Sequence, residues 1–100
     1  SLLDSALLTE MTREHSRGDD RTLLTPTRLG LGMMLDQPEQ ANATYGLGRH
    51  AFGHPGAGGS IGFADPEREL AFGFVTNTLG PYVLMDPRAQ RLARVAGRCL

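Results

Sequence analysis

The chain contains no lysine and no tryptophan, and it has a single cysteine in 100 residues. All ten basic residues are arginine, so within this chain no lysine can serve as base, Schiff-base former or phosphate clamp. Cys99 alone excludes an internal disulfide and any multi-cysteine metal site, and with no motif around it the thiol reads as a packing residue or a bystander. No apolar run approaches the ~20 residues of a membrane helix, so no membrane span is expected. Ten basic residues against eleven acidic ones leave no basic surface to recruit nucleic acid. No charged leader opens the chain, which begins at Ser1 without methionine. The native start is therefore expected to lie elsewhere, and the bacterial cytoplasm is the default compartment.

What is present is the composition of one ordinary globular segment, with 40% hydrophobic residues and room for one core. Asp4 or Ser5 can cap a helix from about 4 to 15, with Leu7, Leu8 and Met11 at helical spacing and Gly18 as its stop. Residues 16–27 are polar and turn-rich. Residues 28–36 read as a strand with Leu29, Leu31, Met33 and Leu35 on one face. Gly30 and Gly32 on its other face mark close approach by a backbone or a ligand. Residues 37–48 read as a loop, 49–54 as extended chain, and 60–64 and 69–76 as a hairpin around the Asp65-Pro66-Glu67-Arg68 turn. Asp86-Pro87 starts a helix through about Arg98. Leu92, Val95 and Ala96 fall on one face of it, and Arg88, Arg91, Arg94 and Arg98 largely on the other. The expected architecture is α+β: an antiparallel meander of three or four strands, a short N-terminal helix, and a C-terminal helix packing on the sheet.

The densest local signal is the run Phe52-Gly53-His54-Pro55-Gly56-Ala57-Gly58-Gly59-Ser60, with four glycines and a proline between two strand-like segments. Such a run suits backbone exposure, in which main-chain N–H groups meet a substrate as in an oxyanion hole or anion nest. The alternative is a glycine-rich bulge without chemistry. Gly58-Gly59-Ser60-Ile61-Gly62 matches the G-x-S-x-G elbow, but a hairpin rather than a helix follows the serine, and His15, His50 and His54 all precede it. The elbow reading fails on both counts. His50 and His54 have H-x-x-x-H spacing, yet Gly53 and Pro55 disfavour the helix that zinc ligation would need, so no metal is expected. Phosphate-loop and dinucleotide fingerprints are incomplete, and no cofactor is expected.

Three runs together carry a resemblance: Leu29-Gly30-Leu31-Gly32-Met33; Phe52 to Glu67 through His54-Pro55-Gly56 and Asp65-Pro66-Glu67; and Phe72-Gly73-Phe74-Val75-Thr76-Asn77. In this order they resemble the C-terminal region of the serine β-lactamase-like family, which includes class C β-lactamases, D-alanyl-D-alanine peptidases and family VIII-type esterases. The resemblance covers essentially residues 1–100, read as the C-terminal part of one serine hydrolase domain. It implies that His54-Pro55-Gly56 is a variant of the third catalytic motif, Lys or His, any residue, Gly. It assigns His54, Gly56 and Ala57 to catalysis, with Ala57 donating its N–H to the oxyanion hole, and Pro55, Gly58 and Gly59 to substrate binding. The Ser-x-x-Lys and Tyr-x-Asn motifs that complete the site are absent from this chain, whose tyrosines read Tyr45-Gly46-Leu47 and Tyr82-Val83-Leu84. The implied substrate is a small ester or amide. The implied partner is an N-terminal portion or another chain, without which the segment is expected to be inactive. A non-catalytic binding module, or an inactive gene fragment, is the competing reading.

Overall fold

The computed structural model describes residues 2–100. It is an α+β arrangement: a six-stranded antiparallel sheet in sequential order, preceded by a short helix and closed by a longer one. Helix α1 spans Ser5–Thr12, and the Asp4 carboxylate caps it by accepting from the Leu7 N–H at 2.7 Å. The helix ends earlier than expected, at extended Arg13, because residues the sequence assigned to turns form β1, Ser16–Asp19. Every β1 residue is exposed, so no apolar alternation betrayed the strand. Its register is fixed instead by pairing with β2, Pro26–Leu29, from Ser16↔Leu29 to Asp19↔Pro26.

The strand expected over 28–36 is in fact a hairpin. β2 ends at Leu29, the chain reverses, and β3 is only Met34–Leu35, paired through Leu29↔Met34. Gly32 supplies a φ of +71° in the reversal, and the Gly30 N–H closes it on the Met33 carbonyl at 2.9 Å. Close approach at Gly30 is real: a Cβ there would collide with the Met11 carbonyl oxygen, which accepts from the Leu31 N–H at 2.9 Å. The glycine thus lets the end of α1 dock on the hairpin.

The meander that follows matches the sequence pattern, with β4 at Phe52–Pro55, β5 at Ile61–Asp65 and β6 at Leu70–Phe74. The β4–β5 and β5–β6 registers run Gly53↔Phe63↔Phe72 and Pro55↔Ile61↔Phe74, with His54↔Gly62↔Gly73 between them. Cross-strand partners share a face. Ile61 and Phe63 are buried, so their rows face the core, and the His54 row faces the other way.

The core side is covered by α2, Pro87–Arg98, whose start is the expected Asp-Pro cap. Its inward face differs from the expectation. Ala89, Gln90 and Ala93 are buried, whereas Leu92 and Val95 are 47% and 53% exposed. Small residues let the helix axis lie close to the aromatic rows, and periodicity alone could not tell which apolar stripe would be inward. Tyr45, Ile61, Phe63, Met85, Ala89 and Ala93 form the centre of the core. The loop that supplies Tyr45 carries a 3-10 turn at Ala41–Ala43. Tyr45 stacks on Phe63 at 4.7 Å, a contact worth ~0.5–1.5 kcal/mol beyond burial, and its hydroxyl donates to the Met34 carbonyl at 2.9 Å. Buried Asp36 accepts from the Thr44 hydroxyl at 3.0 Å and the Tyr45 N–H at 2.8 Å. Burial pushes its carboxyl up from the usual range, an effect these hydrogen bonds oppose. Thr44 is thereby held in the core, its hydroxyl committed to Asp36.

Candidate active site

β3 reaches only Gly53 and Phe52 on β4, through Met34↔Gly53 and Leu35↔Phe52. His54 and Pro55 thus run past the end of β3 with a strand neighbour, β5, on one side only. His54 is exposed, on the face away from α2. Beside it in the same row, Gly62 and Gly73 have open space where side chains would be, so the imidazole overlooks a shallow trough. His54 Nδ1 lies 2.6 Å from the carbonyl oxygen of Pro55. A carbonyl only accepts, so Nδ1 carries a proton, and in the neutral ring Nε2 is left as an acceptor.

The turn after β4 is built from its own backbone and from residues 78–88. The Gly56 N–H donates to the Ser60 carbonyl at 2.8 Å, the Gly58 N–H to the Tyr82 carbonyl at 2.8 Å, and the Gly59 N–H to the Gly56 carbonyl at 3.3 Å. Gly58 and Gly59 take φ values of +97° and +131°, which a residue with a Cβ rarely adopts. Among the described residues, the Ala57 N–H is the only one of the Gly56–Gly59 amides without a hydrogen-bond partner, and Ala57 is exposed.

Of the six residues the sequence singled out, His54 and Ala57 are exposed, Gly56 is half-buried, and Pro55, Gly58 and Gly59 are buried. Pro55 belongs to the core-facing row with Ile61 and Phe74. Pro55, Gly58 and Gly59 thus support the turn from beneath rather than meeting solvent. Ser60 is half-buried, and its Oγ would collide with a Cβ at Gly56. His50 lies in the turn before β4, exposed, with Nε2 3.3 Å from Glu67 Oε1. It shares no strand with His54. Among the described residues no group of three or more His, Cys, Asp or Glu side chains is arranged to hold a metal, and no helix is long and apolar enough to cross a membrane. A concavity of about 320 Å³ lies between Thr22, Leu23, Tyr82, Leu84 and Met85, yet no titratable pair converges there.

Sequence reasoning missed Asp86 and Arg88 as parts of this region, reading Asp86 only as a helix cap. The Asp86 side chain is fully buried and lies 2.7 Å from Arg88 Nη2. Hydrogen bonds from Arg88 hold the Asp86 carboxyl below the usual carboxylate range. No one-dimensional signal distinguishes such an aspartate from an ordinary N-cap.

An α+β arrangement with a six-stranded antiparallel sheet, a helix on one face and His54 of the His-Pro-Gly strand exposed on the other agrees with the resemblance to the serine β-lactamase-like family. The chain belongs to that family, matching the Beta-lactamase family over residues 1–96. Among curated proteins it is 38% identical over 86 residues to Esterase/beta-lactamase LipL of Mycobacterium tuberculosis (strain ATCC 25618 / H37Rv), covering 84% of this chain and 18% of that protein. Among solved structures it superposes on a penicillin-binding protein homologue from Caulobacter crescentus with TM-score 0.90 and 39% identity, over all of this chain and 26% of that one. A family VIII carboxylesterase gives TM-score 0.82 and 35% identity over 98% of this chain and 26% of that chain. The chain thus spans about a quarter or less of these relatives.

Proposed function

We propose that this chain is the C-terminal part of a serine hydrolase domain and forms one wall of its acyl-transfer site, acting on small uncharged esters. The observation that carries this reading is the exposed, unpartnered N–H of Ala57, next to a strand whose exposed His54 stands in the third-motif position. In the proposed reaction a serine outside this chain attacks the ester carbonyl. The new O–C bond forms as the carbonyl electrons move onto oxygen, and Ala57 N–H together with the nucleophile's own N–H stabilises that oxyanion. The alcohol then leaves with the proton that the base took from the serine; water, giving a proton to the same base, next attacks the acyl-serine carbonyl, and the serine oxygen departs with that proton as the carboxylic acid is released. His54 Nε2 borders the nucleophile network and tunes its hydrogen bonds.

The preference for neutral esters follows from histidine in place of lysine. A lysine ammonium is a permanent cation for a substrate carboxylate, whereas an imidazole is not.

The test is a hybrid esterase in which this chain replaces the matching quarter of the family VIII carboxylesterase. The hybrid is expected to hydrolyse nitrophenyl acetate, while the 100-residue chain alone turns over neither this ester nor a chromogenic cephalosporin above the buffer rate. Stoichiometric labelling of Ser60 by a fluorophosphonate in the isolated chain would overturn the reading and restore Ser60 as a nucleophile.

A further inference from the structure

We propose that the Asp86–Arg88 pair at the start of α2 is the positioning device of the Ala57 turn, setting the direction of its free N–H through two linked peptide planes. The inference rests on the reading of Ala57 as an oxyanion donor and names the residues that aim it.

The path is short. Arg88 Nη2 donates to the Gly58 carbonyl at 3.1 Å, and Nη1 donates to the Thr78 carbonyl at 3.0 Å. The Gly58 carbonyl shares a rigid peptide plane with the Gly59 N–H. That N–H donates to the Gly56 carbonyl at 3.3 Å, and the Gly56 carbonyl shares its plane with the Ala57 N–H. Rotating the Ala57 N–H therefore breaks the Gly59 contact, and rotating the Gly59 plane breaks the Arg88 contact. The Gly80 N–H adds a second donor to the Gly58 carbonyl at 2.8 Å, and the Gly58 N–H is tied to Tyr82 at 2.8 Å, so the clamp grips Gly58 from both sides.

Arg88 is itself held in place. Its Nε and Nη2 donate to Asp86 Oδ1 and Oδ2 at 3.1 and 2.7 Å, a two-point contact that fixes the plane of the guanidinium. A capping aspartate needs only the Arg88 backbone N–H, which reaches Oδ1 at 2.8 Å. The side-chain bridge to Gly58 and Thr78 goes beyond capping. Two glycines make room for it: a Cβ at Gly59 would lie 2.8 Å from Arg88 Nη2, and one at Gly80 would lie 2.7 Å from the same atom.

The test compares variants of the hybrid esterase. Arg88→Ala is expected to lower kcat on nitrophenyl acetate by about 10–100-fold with KM within about twofold, the split of a contact felt in the transition state. Added guanidinium should restore part of the loss. Arg28→Ala is the stability control: it removes a 2.6 Å ion pair to Glu14 and a 3.1 Å hydrogen bond to the Asp36 carbonyl, remote from the turn, and should leave kcat unchanged. Should Arg88→Ala fail to fold, Arg88→Lys carries the comparison, with reduced kcat expected because an ammonium lacks the planar fork. An unchanged kcat in the Arg88 variants, or a loss no greater than in Arg28→Ala, or no return with guanidinium, would overturn the inference. Ala57→Pro, which deletes the N–H itself, separates the two claims. Full activity in that variant sinks the oxyanion reading, whereas a large loss there with none at Arg88 sinks only the positioning role.

Discussion

Replacing His54 with alanine in the hybrid esterase is expected to lower kcat by about 10–1,000-fold while KM changes little, a loss of ~1.4–4 kcal/mol in transition-state stabilisation. The direction follows from geometry. His54 is exposed at the end of β4 that has no neighbour on its outer side, and its Nδ1 is held by the Pro55 carbonyl at 2.6 Å. That contact defines the tautomer and leaves Nε2 as an acceptor, so in the proposed role its interaction is prepared before reaction and strengthens as charge develops. Replacing His54 with lysine should instead shift preference toward carboxylate-bearing esters, because a fixed cation then awaits the anion. His50→Ala is the internal control. Its ring is exposed in the preceding turn and pairs with Glu67, away from the motif, so steady-state assays should find turnover nearly intact. Equal damage from both histidine substitutions, or none from either, would leave the glycine-rich segment as plain architecture.

The second large effect concerns the chain by itself. β6 is the last strand of the sheet, so its outer edge presents unpaired backbone groups. Val75, just past β6, is 84% exposed, and α2, which packs against β6, leaves Leu92 and Val95 47% and 53% exposed. The isolated 100-residue chain should therefore sediment as oligomers or aggregates, or melt without a cooperative transition. Any ordered form should have sequence or a partner chain covering 69–76. Lysine at the exposed edge positions Ala71 and Val75 should raise the monomeric fraction several-fold, since edge charges block strand pairing. A sharp two-state melt from a proven monomer of the unaltered chain would contradict this.

The parts of the fold that were legible in the sequence are those where one face is buried and one is not. The β4–β5–β6 meander and the Asp86-Pro87 helix start announced themselves through alternation and cap chemistry. β1 was invisible because all four of its residues are exposed, and the β2–β3 reversal was hidden by leucines and methionines that kept a strand-like alternation through a turn. The inward face of α2 was misread because Ala89 and Ala93 are chosen for closeness of approach rather than for hydrophobicity. In the candidate site, the glycine-rich run draws attention to residues 52–60 because it is compact in sequence, and the resemblance singles out His54 and Ala57 within it. Asp86 and Arg88 could not be found in this way, because the Gly58 carbonyl they serve lies 30 residues away from Arg88 and only the fold brings the two together.

The Ala57 N–H is the central donor of the proposed site, and a crystal structure of the hybrid esterase carrying a phosphonate on its nucleophilic serine reads it directly. The phosphoryl oxygen that mimics the oxyanion is predicted to lie ~2.7–3.1 Å from Ala57 N, with the His54 ring bordering the adduct. A phosphoryl oxygen turned away from the turn, with the Ala57 N–H meeting only water, would contradict the claim that this chain forms a wall of an acyl-transfer site.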